Sequence, residues 1–244
     1  MKSATPIWVA FLLVCMAALV LPAMHAVPAR AAEAAGQALA VWDQKIEFPA
    51  ETVQVRYDKA LATLVNQPFD PGAGWNLFKV VTTKLKAGTE ETFLVVFDPG
   101  PSADPNFQVY RGTDVGEDNY LGSMNGLELS IPGDGFLYVS GHSNTTFNQR
   151  RKYQIAGHGM EEIAQPFYYV GLQSKTLKPV TLTSEVDGGA EVATLPAGAP
   201  VEILLNRDDN RYLVRTQDGL VGWFTEELTT QDPVHFEGLY FRGD

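Results

Sequence analysis

Val201-Glu202-Ile203-Leu204-Leu205, then Tyr212-Leu213-Val214-Arg215-Thr216, then Gln217-Asp218-Gly219, then Leu220-Val221-Gly222-Trp223-Phe224: this run decides the fold class. Val201, Ile203 and Leu205 return at every second position, as do Tyr212, Val214 and Thr216. A period of two puts each set on a single face of an extended strand. Asp218-Gly219 between two such runs is a strong hairpin signal, because a type I′ turn needs positive φ at both central positions. Upstream, Leu177 to Leu182 and Val192 to Leu195 add further short apolar runs, and Pro196 to Pro200 separates the second from Val201. Each proline would remove a donor from a central ladder, so the pair marks a turn. Five such strands are too short for a broad open sheet, which predicts closure into a small β-barrel over residues 175–230.

Three features of this run resemble the bacterial SH3-like (SH3b) domain. They are Leu195-Pro196-Ala197-Gly198 ahead of Val201-Glu202-Ile203-Leu204, the segment Tyr212-Leu213-Val214-Arg215, and Asp218-Gly219 followed by Gly222-Trp223. Two departures stand beside them. Thr183-Ser184-Glu185-Val186 occupies the place where the family often carries an Arg-Ser-Gly-Pro-like run, and Tyr212 stands where it often has Trp. The resemblance implies binding without catalysis, often of cell-wall peptides, with Tyr212 and Trp223 as groove aromatics and Thr183, Glu185 and Asp187 in the loop beside them. Aromatic rings suit a flat peptide groove, since they bury large area with few rotors to freeze. Sequence alone leaves both rings equally open to a core role.

Residues 1–31 read as a signal peptide. Lys2 supplies the positive charge, Ile7 to Leu21 form an apolar run too short and wrongly flanked for a membrane span, and Ala29-Arg30-Ala31 offers a small-residue cleavage site. Cleavage is expected after Ala31, with Ala26 as the alternative. Val14 ahead of Cys15 is too large for a lipoprotein signal, so no membrane anchor is expected. A periplasmic or secreted bacterial location follows. Cys15 is the only cysteine, so the chain beyond the leader must rely on its core rather than on disulfides. The whole chain carries 18 basic and 29 acidic residues, net −11, and loss of Lys2 and Arg30 makes the balance more acidic still. That excludes nucleic acid and anionic membrane as expected partners.

From Ala32 to Leu172 the chain reads as strand after strand: Thr52 to Tyr57, Leu77 to Lys84, Glu91 to Phe97, Phe107 to Arg111, Leu127 to Ile131, Phe136 to Ser140, Lys152 to Ile155 and Pro166 to Leu172. Turn signals separate them at Asp70-Pro71-Gly72, Asp98 to Pro101, Gly122 to Gly126 and Pro132 to Gly135, and Ala60 to Leu64 reads as a short helical turn. The expectation is an all-β chain: an antiparallel β-sandwich or jelly-roll-like domain over 36–173, the SH3-like barrel, and a C-terminal tail over 231–244. Gln165 to Val170, aromatic on both faces, is expected to be buried on both sides between the two domains.

Candidate chemistry is thin. Gly141-His142-Ser143-Asn144-Thr145 begins like a G-x-S-x-G nucleophile elbow, yet Thr145 replaces the last Gly and no helix follows. His158, Glu161 and Glu162, with His142 or His235, lack a metal-site spacing. Asp114, Glu117 and Asp118 share one loop and offer oxygen ligands suited to Ca²⁺, although such loops are usually only solvated. Arg150-Arg151-Lys152 is a basic triplet in an acidic chain, consistent with a protected strand edge or a dock for an anion. No cofactor, metal or catalytic set is assigned. The leading expectation is a non-enzymatic binding protein whose SH3-like domain contacts a peptide or cell-wall element, while the sandwich binds a second partner or carbohydrate. The alternatives are a glycosidase-like hydrolase using Asp98, Asp114 or Asp118 with His142, and a structural module that contacts an envelope protein.

Overall fold

Alternating apolar residues build seventeen strands among the described residues of the protein, for which a computed structural model describes residues 39–46, 51–72, 76–100, 104–141, 148–207, 210–226 and 232–240. The expected leader, Cys15, the elbow residues His142 to Thr145 and the terminal Arg242-Gly243-Asp244 lie outside the described residues. The strands are β1 (Ala40–Lys45), β2 (Thr52–Tyr57), β3 (Ala62–Phe69), β4 (Leu77–Thr83), β5 (Phe93–Asp98), β6 (Asn106–Arg111), β7 (Tyr120–Asn125), β8 (Glu128–Ile131) and β9 (Leu137–Ser140). There follow β10 (Arg151–Ala156), β11 (Gly159–Glu162), β12 (Tyr168–Lys175), β13 (Val180–Glu185), β14 (Gly188–Leu195), β15 (Pro200–Arg207), β16 (Arg211–Thr216) and β17 (Val221–Thr225). One 3₁₀ turn at Glu117–Asn119 is the sole helical element described. The chain is all-β. No described helix is long and apolar enough to cross a membrane.

Two sheets face each other in the first lobe. One runs β1-β2-β8-β9-β10-β11 and the other β3-β4-β5-β6-β7. The inward residues of both sheets share one core, in which Trp42, Val53, Val55, Leu129 and Leu137 meet Val81, Val95, Phe97, Phe107 and Met124. Phe97 packs its ring against Phe107 at 5.4 Å and against Trp42 at 6.4 Å. Ladders are antiparallel except β2 with β8, where Gln54 to Tyr57 run parallel to Glu128 to Ile131. Four strands appear where the sequence showed none, or something else, the first being β1, which pairs with β2 as an edge of its sheet. Ala62–Phe69 is an edge strand rather than a helical turn, and it tolerates Pro68 and the positive φ of Asn66 (46°) because only one side is paired. Tyr120–Asn125 overlaps the expected Gly122 turn as the other edge, with an irregular register between Val109 and Tyr110 on its partner. Gly159–Glu162 is too short to show a period.

The C-terminal sheet is ordered β12-β15-β16-β17-β13-β14 and is antiparallel throughout. It begins at Tyr168, ahead of residue 175, because Tyr168–Lys175 pairs with β15. The expected small closed barrel is not formed; β12 and β14 remain the two edges. The reason is visible in the backbone of Lys175 to Leu177. Thr176 donates its N–H to the carbonyl of Ala199 at 3.0 Å, on the β15 side. Its neighbours point the other way: Leu177 N–H reaches the carbonyl of His235 at 2.7 Å, and Glu237 N–H reaches that of Lys175 at 2.9 Å. Just where β12 ends, its outer side is therefore taken by the segment around Phe236, and not by β14. That segment is no loose tail, since Phe236 and Leu239 are fully buried with Val170, Leu182, Ile203 and Tyr212.

The hairpin β16–β17 forms where Asp218-Gly219 indicated, but by different geometry. Only Gly219 takes positive φ (85°), and its N–H bonds the carbonyl of Thr216 at 3.0 Å. This is a three-residue connection ending in a left-handed glycine, in place of the type I′ turn that would need Asp218 at positive φ too.

Candidate functional site

Strand register separates the two aromatic residues singled out by sequence. Across the C-terminal sheet, Asn206, Tyr212 and Phe224 are direct neighbours, and so are Leu205, Leu213 and Trp223. Side chains alternate between faces, so the first row points into the core and the second points out. Tyr212 is fully buried, and its hydroxyl has no hydrogen-bond partner among the described residues. Burial, with the Glu226 carboxylate nearby, pushes its pKa well above the ordinary tyrosine value. Tyr212 is a core residue and lines no groove; that expectation is corrected. The cause is its phase, which it shares with the buried Val214 and Thr216.

Trp223 stands on the opposite face, half-buried, with Thr183 as its cross-strand partner. The outward row reads Tyr169, Leu205, Leu213, Trp223, Thr183 across β12, β15, β16, β17 and β13. Phe167, just ahead of β12, lays its ring 6.1 Å from that of Trp223. Phe167 and Tyr169 are 42% and 46% exposed, so the segment expected to be buried on both sides instead shows its aromatic face. Val170 between them and the core is the buried member. Val221, 42% exposed, extends the same face beside Arg215.

Two glycines shape this surface. A Cβ on Gly222 would lie 2.8 Å from the Cβ of Leu182 and 3.1 Å from the carbonyl oxygen of Thr183, so only glycine lets β17 approach β13 this closely. Gly171 sits in the irregular stretch of β12 with φ 65°, and a Cβ there would lie 2.6 Å from Cζ of Tyr169. The Tyr169 ring thus folds back over Gly171, while the Arg150 guanidinium lies 4.7 Å from the ring centroid. The first sets how closely the strand carrying Trp223 approaches β13, and the second fixes the Tyr169 ring itself.

The rim of the row is charged. Asp187 pairs with Arg211 at 3.0 Å, and Arg215 pairs with Glu202. Asp187 is 76% exposed, so its pair contributes under about 1 kcal/mol to stability. Glu185 is exposed at the β13–β14 hairpin, and Thr183 Oγ1 donates to the carbonyl of Glu185 at 2.9 Å. Thr183, Asp187 and Trp223 therefore gather around one face, with Glu185 at its margin. Tyr212 does not join them. Phe167, Tyr169, Leu205 and Leu213 complete the face, and sequence reading did not include them.

Several of the other candidate groups have structural partners. Asp98 accepts the N–H of Gly100 and the amide of Gln108, each at 2.8 Å. Glu162 accepts hydroxyls from Tyr153 at 3.2 Å and from Tyr168 at 3.1 Å. His235 Nδ1 lies 2.9 Å from the buried carboxylate of Glu226. In the loop of Asp114, Asn119 donates to the Asp114 carbonyl at 2.8 Å. Among the described residues no three His, Cys, Asp or Glu side chains converge as a metal site requires. Comparison with protein-family models, with curated proteins and with solved structures finds no match to this chain.

Proposed function

We propose that this chain is an exported, non-enzymatic binding protein, and that the outward face of its C-terminal sheet docks an extended peptide of the cell wall. The observation that carries the reading is the row Tyr169, Leu205, Leu213, Trp223, Thr183, with Phe167 packed on Trp223. Exposed aromatic and apolar side chains gathered on one face of a monomer mark an interaction surface. Flat rings held by close packing suit an extended backbone, and the charged pairs at the rim suit its polar flanks. The Asp218-Gly219 hairpin followed by Gly222-Trp223 supports the likeness to bacterial SH3-like modules, while the open strand order departs from it.

Co-sedimentation of the full chain with insoluble peptidoglycan tests the reading, beside Phe167→Ala and Trp223→Ala. Sedimentation of the parent and a loss of about tenfold or more in each variant is expected, since hot-spot aromatics contribute ~2 kcal/mol or more. Equal sedimentation of parent and variants would remove this face as the docking site. The exposure of Phe167 and Tyr169 also favours a second reading, contact with an envelope protein. Failure of the parent to sediment would leave that one standing.

A further inference from the structure

A trough lies on the first lobe, on the outward face of the sheet that holds β2, β8, β9 and β10. Register builds it from two rows of side chains. Arg56, Ser130, Tyr138 and Lys152 are successive cross-strand neighbours, and so are Gln54, Glu128 and Ser140 in the next row. The residues facing them inward, Val55, Leu129, Ile131, Leu137 and Val139, are core. Serine is short, while arginine, lysine, tyrosine and glutamine are long. Ser130 inside the first row and Ser140 at the end of the second therefore sink a floor among longer side chains, and the space between them is about 260 Å³. That lies just under the ~300–1,000 Å³ typical of drug-sized ligand sites, a size for a small ring or a short chain of rings.

The lining is unlike the rest of the molecule. Arg56, Arg150, Arg151 and Lys152 line it against the single carboxylate of Glu128, in a chain whose net charge is −11, although the Arg150 guanidinium donates to the Val170 carbonyl and that of Arg151 to Gln149. The Lys152 ammonium lies 3.6 Å from the ring centroid of Phe136 and 5.7 Å from that of Tyr138, and it forms no ion pair with a described carboxylate. Tyr138 is fixed by its hydroxyl, which donates to Asp134 at 2.6 Å. Glu128 is loosely held: Arg56 stands 3.8 Å away, and Ser140 Oγ donates to it at 3.4 Å. The trough thus combines cations on its sides, two hydroxyls on its floor and one acceptor carboxylate.

We propose that this trough binds a carboxylate-bearing sugar, as found in the repeating units of an acidic polysaccharide. A carboxylate meets Lys152, and Arg56 on the far side meets the next one along the chain. Ring hydroxyls donate to Glu128 and exchange hydrogen bonds with Ser130 and Ser140. Glu128 decides between ligand classes. Beside a bare polyanion it would only repel, whereas beside a sugar it accepts hydroxyl donors in charge-assisted bonds, roughly twice as strong as neutral ones.

Titration of the isotope-labelled full chain with trigalacturonic acid, followed by amide shifts, tests the proposal. Maltotriose, neutral, and tricarballylate, a polyanion without hydroxyls, are the comparators. Shifts at Ser130, Tyr138 and Ser140 are expected with trigalacturonate, and binding about tenfold or more weaker for each comparator. Lys152→Gln is expected to weaken trigalacturonate binding about tenfold, and Glu128→Gln to weaken it too. Tighter binding by Glu128→Gln, or tricarballylate binding as well as trigalacturonate, would overturn the sugar and leave a plain anion site. Absence of trough shifts at millimolar trigalacturonate would overturn the site itself. Trp223→Ala is expected to leave these shifts unchanged, so this result and the peptidoglycan result stand or fall separately. Both trough substitutions change half-exposed side chains, and unchanged melting temperatures verify that folding is intact.

Discussion

Replacing Tyr212 with Phe should stabilise this protein, although Tyr212 is one of the two aromatics that the sequence offered as ligand contacts. The ring is fully buried among Val170, Leu182, Ile203, Val214 and Phe236. Its hydroxyl is buried as well and finds no partner among the described residues. A buried hydroxyl that has given up water without gaining a bond costs about 1–3 kcal/mol. Phe keeps the ring and its packing and removes only that oxygen. Allowing for the small void left behind, the gain is about 1–2 kcal/mol, or roughly 2–8 °C in Tm for a chain of this size. Thermal and urea unfolding of the full chain, followed by circular dichroism, measures it. Peptidoglycan sedimentation in parallel should be unchanged, because the ring faces the core. Destabilisation of Tyr212→Phe by more than about 0.5 kcal/mol would show that the hydroxyl is satisfied, and the reasoning from an unpaired group would be wrong.

Other outcomes follow from neighbouring features. Gly222→Ala should destabilise by about 1–3 kcal/mol, because its Cβ would press on the Cβ of Leu182 at 2.8 Å; an unchanged urea midpoint would mean β13 yields without strain. Phe236→Ala should lose about 3–5 kcal/mol, as a fully buried ring of the C-terminal core, and a loss below about 1 kcal/mol would return that segment to the status of a tail. Stability should also fall on the alkaline side. Burial and the Asp134 carboxylate push Tyr138 up to about 12, and Tyr110, Tyr153 and Tyr212 are raised as well. Folding favours the protonated form of each, so their contribution is complete below about pH 10 and is lost as pH rises above it, for Tyr138 through about 12. Tm measured against tyrosinate absorbance should drop across that window, and a flat profile would contradict it.

The all-β class and the β15–β17 region were legible because three alternating runs and one Asp-Gly agree with each other. The same alternation already contained the answer on Tyr212. It keeps step with Val214 and Thr216, so a core that takes one takes all three, and the neighbours Leu213 and Arg215 belong outside. Residue type suggested a groove, whereas phase decided for the core. What sequence concealed lies at edges and in isolated residues. Pro68 and Asn66 disguise β3, which an edge tolerates. Phe236 and Leu239 belong to no periodic run and reveal their burial only through the Leu177–His235 and Lys175–Glu237 hydrogen bonds. The outward row had no local signature, because it draws Tyr169, Leu205, Leu213 and Trp223 from four separate strands. The trough was foreshadowed only by Arg150-Arg151-Lys152; its two serines gain meaning from register alone.

The parallel pairing of β2 with β8 sets an order of events in folding. Gln54 must meet Glu128, and the entire sheet β3 to β7 lies between them in the chain. That inserted sheet is a meander in which each strand pairs with the next one synthesised, so its contacts are local and its loops cheap to close. The sheet of β1, β2, β8, β9, β10 and β11 can join its halves only after the insert has drawn its own ends together. The expected transition state therefore contains β4, β5 and β6 but not the β2–β8 ladder. Substitutions such as Val95→Ala should slow folding, while Val55→Ala should mainly speed unfolding. Until that late seam closes, β2 presents an unpaired edge, and that interval is when the chain is most open to pairing with a neighbour.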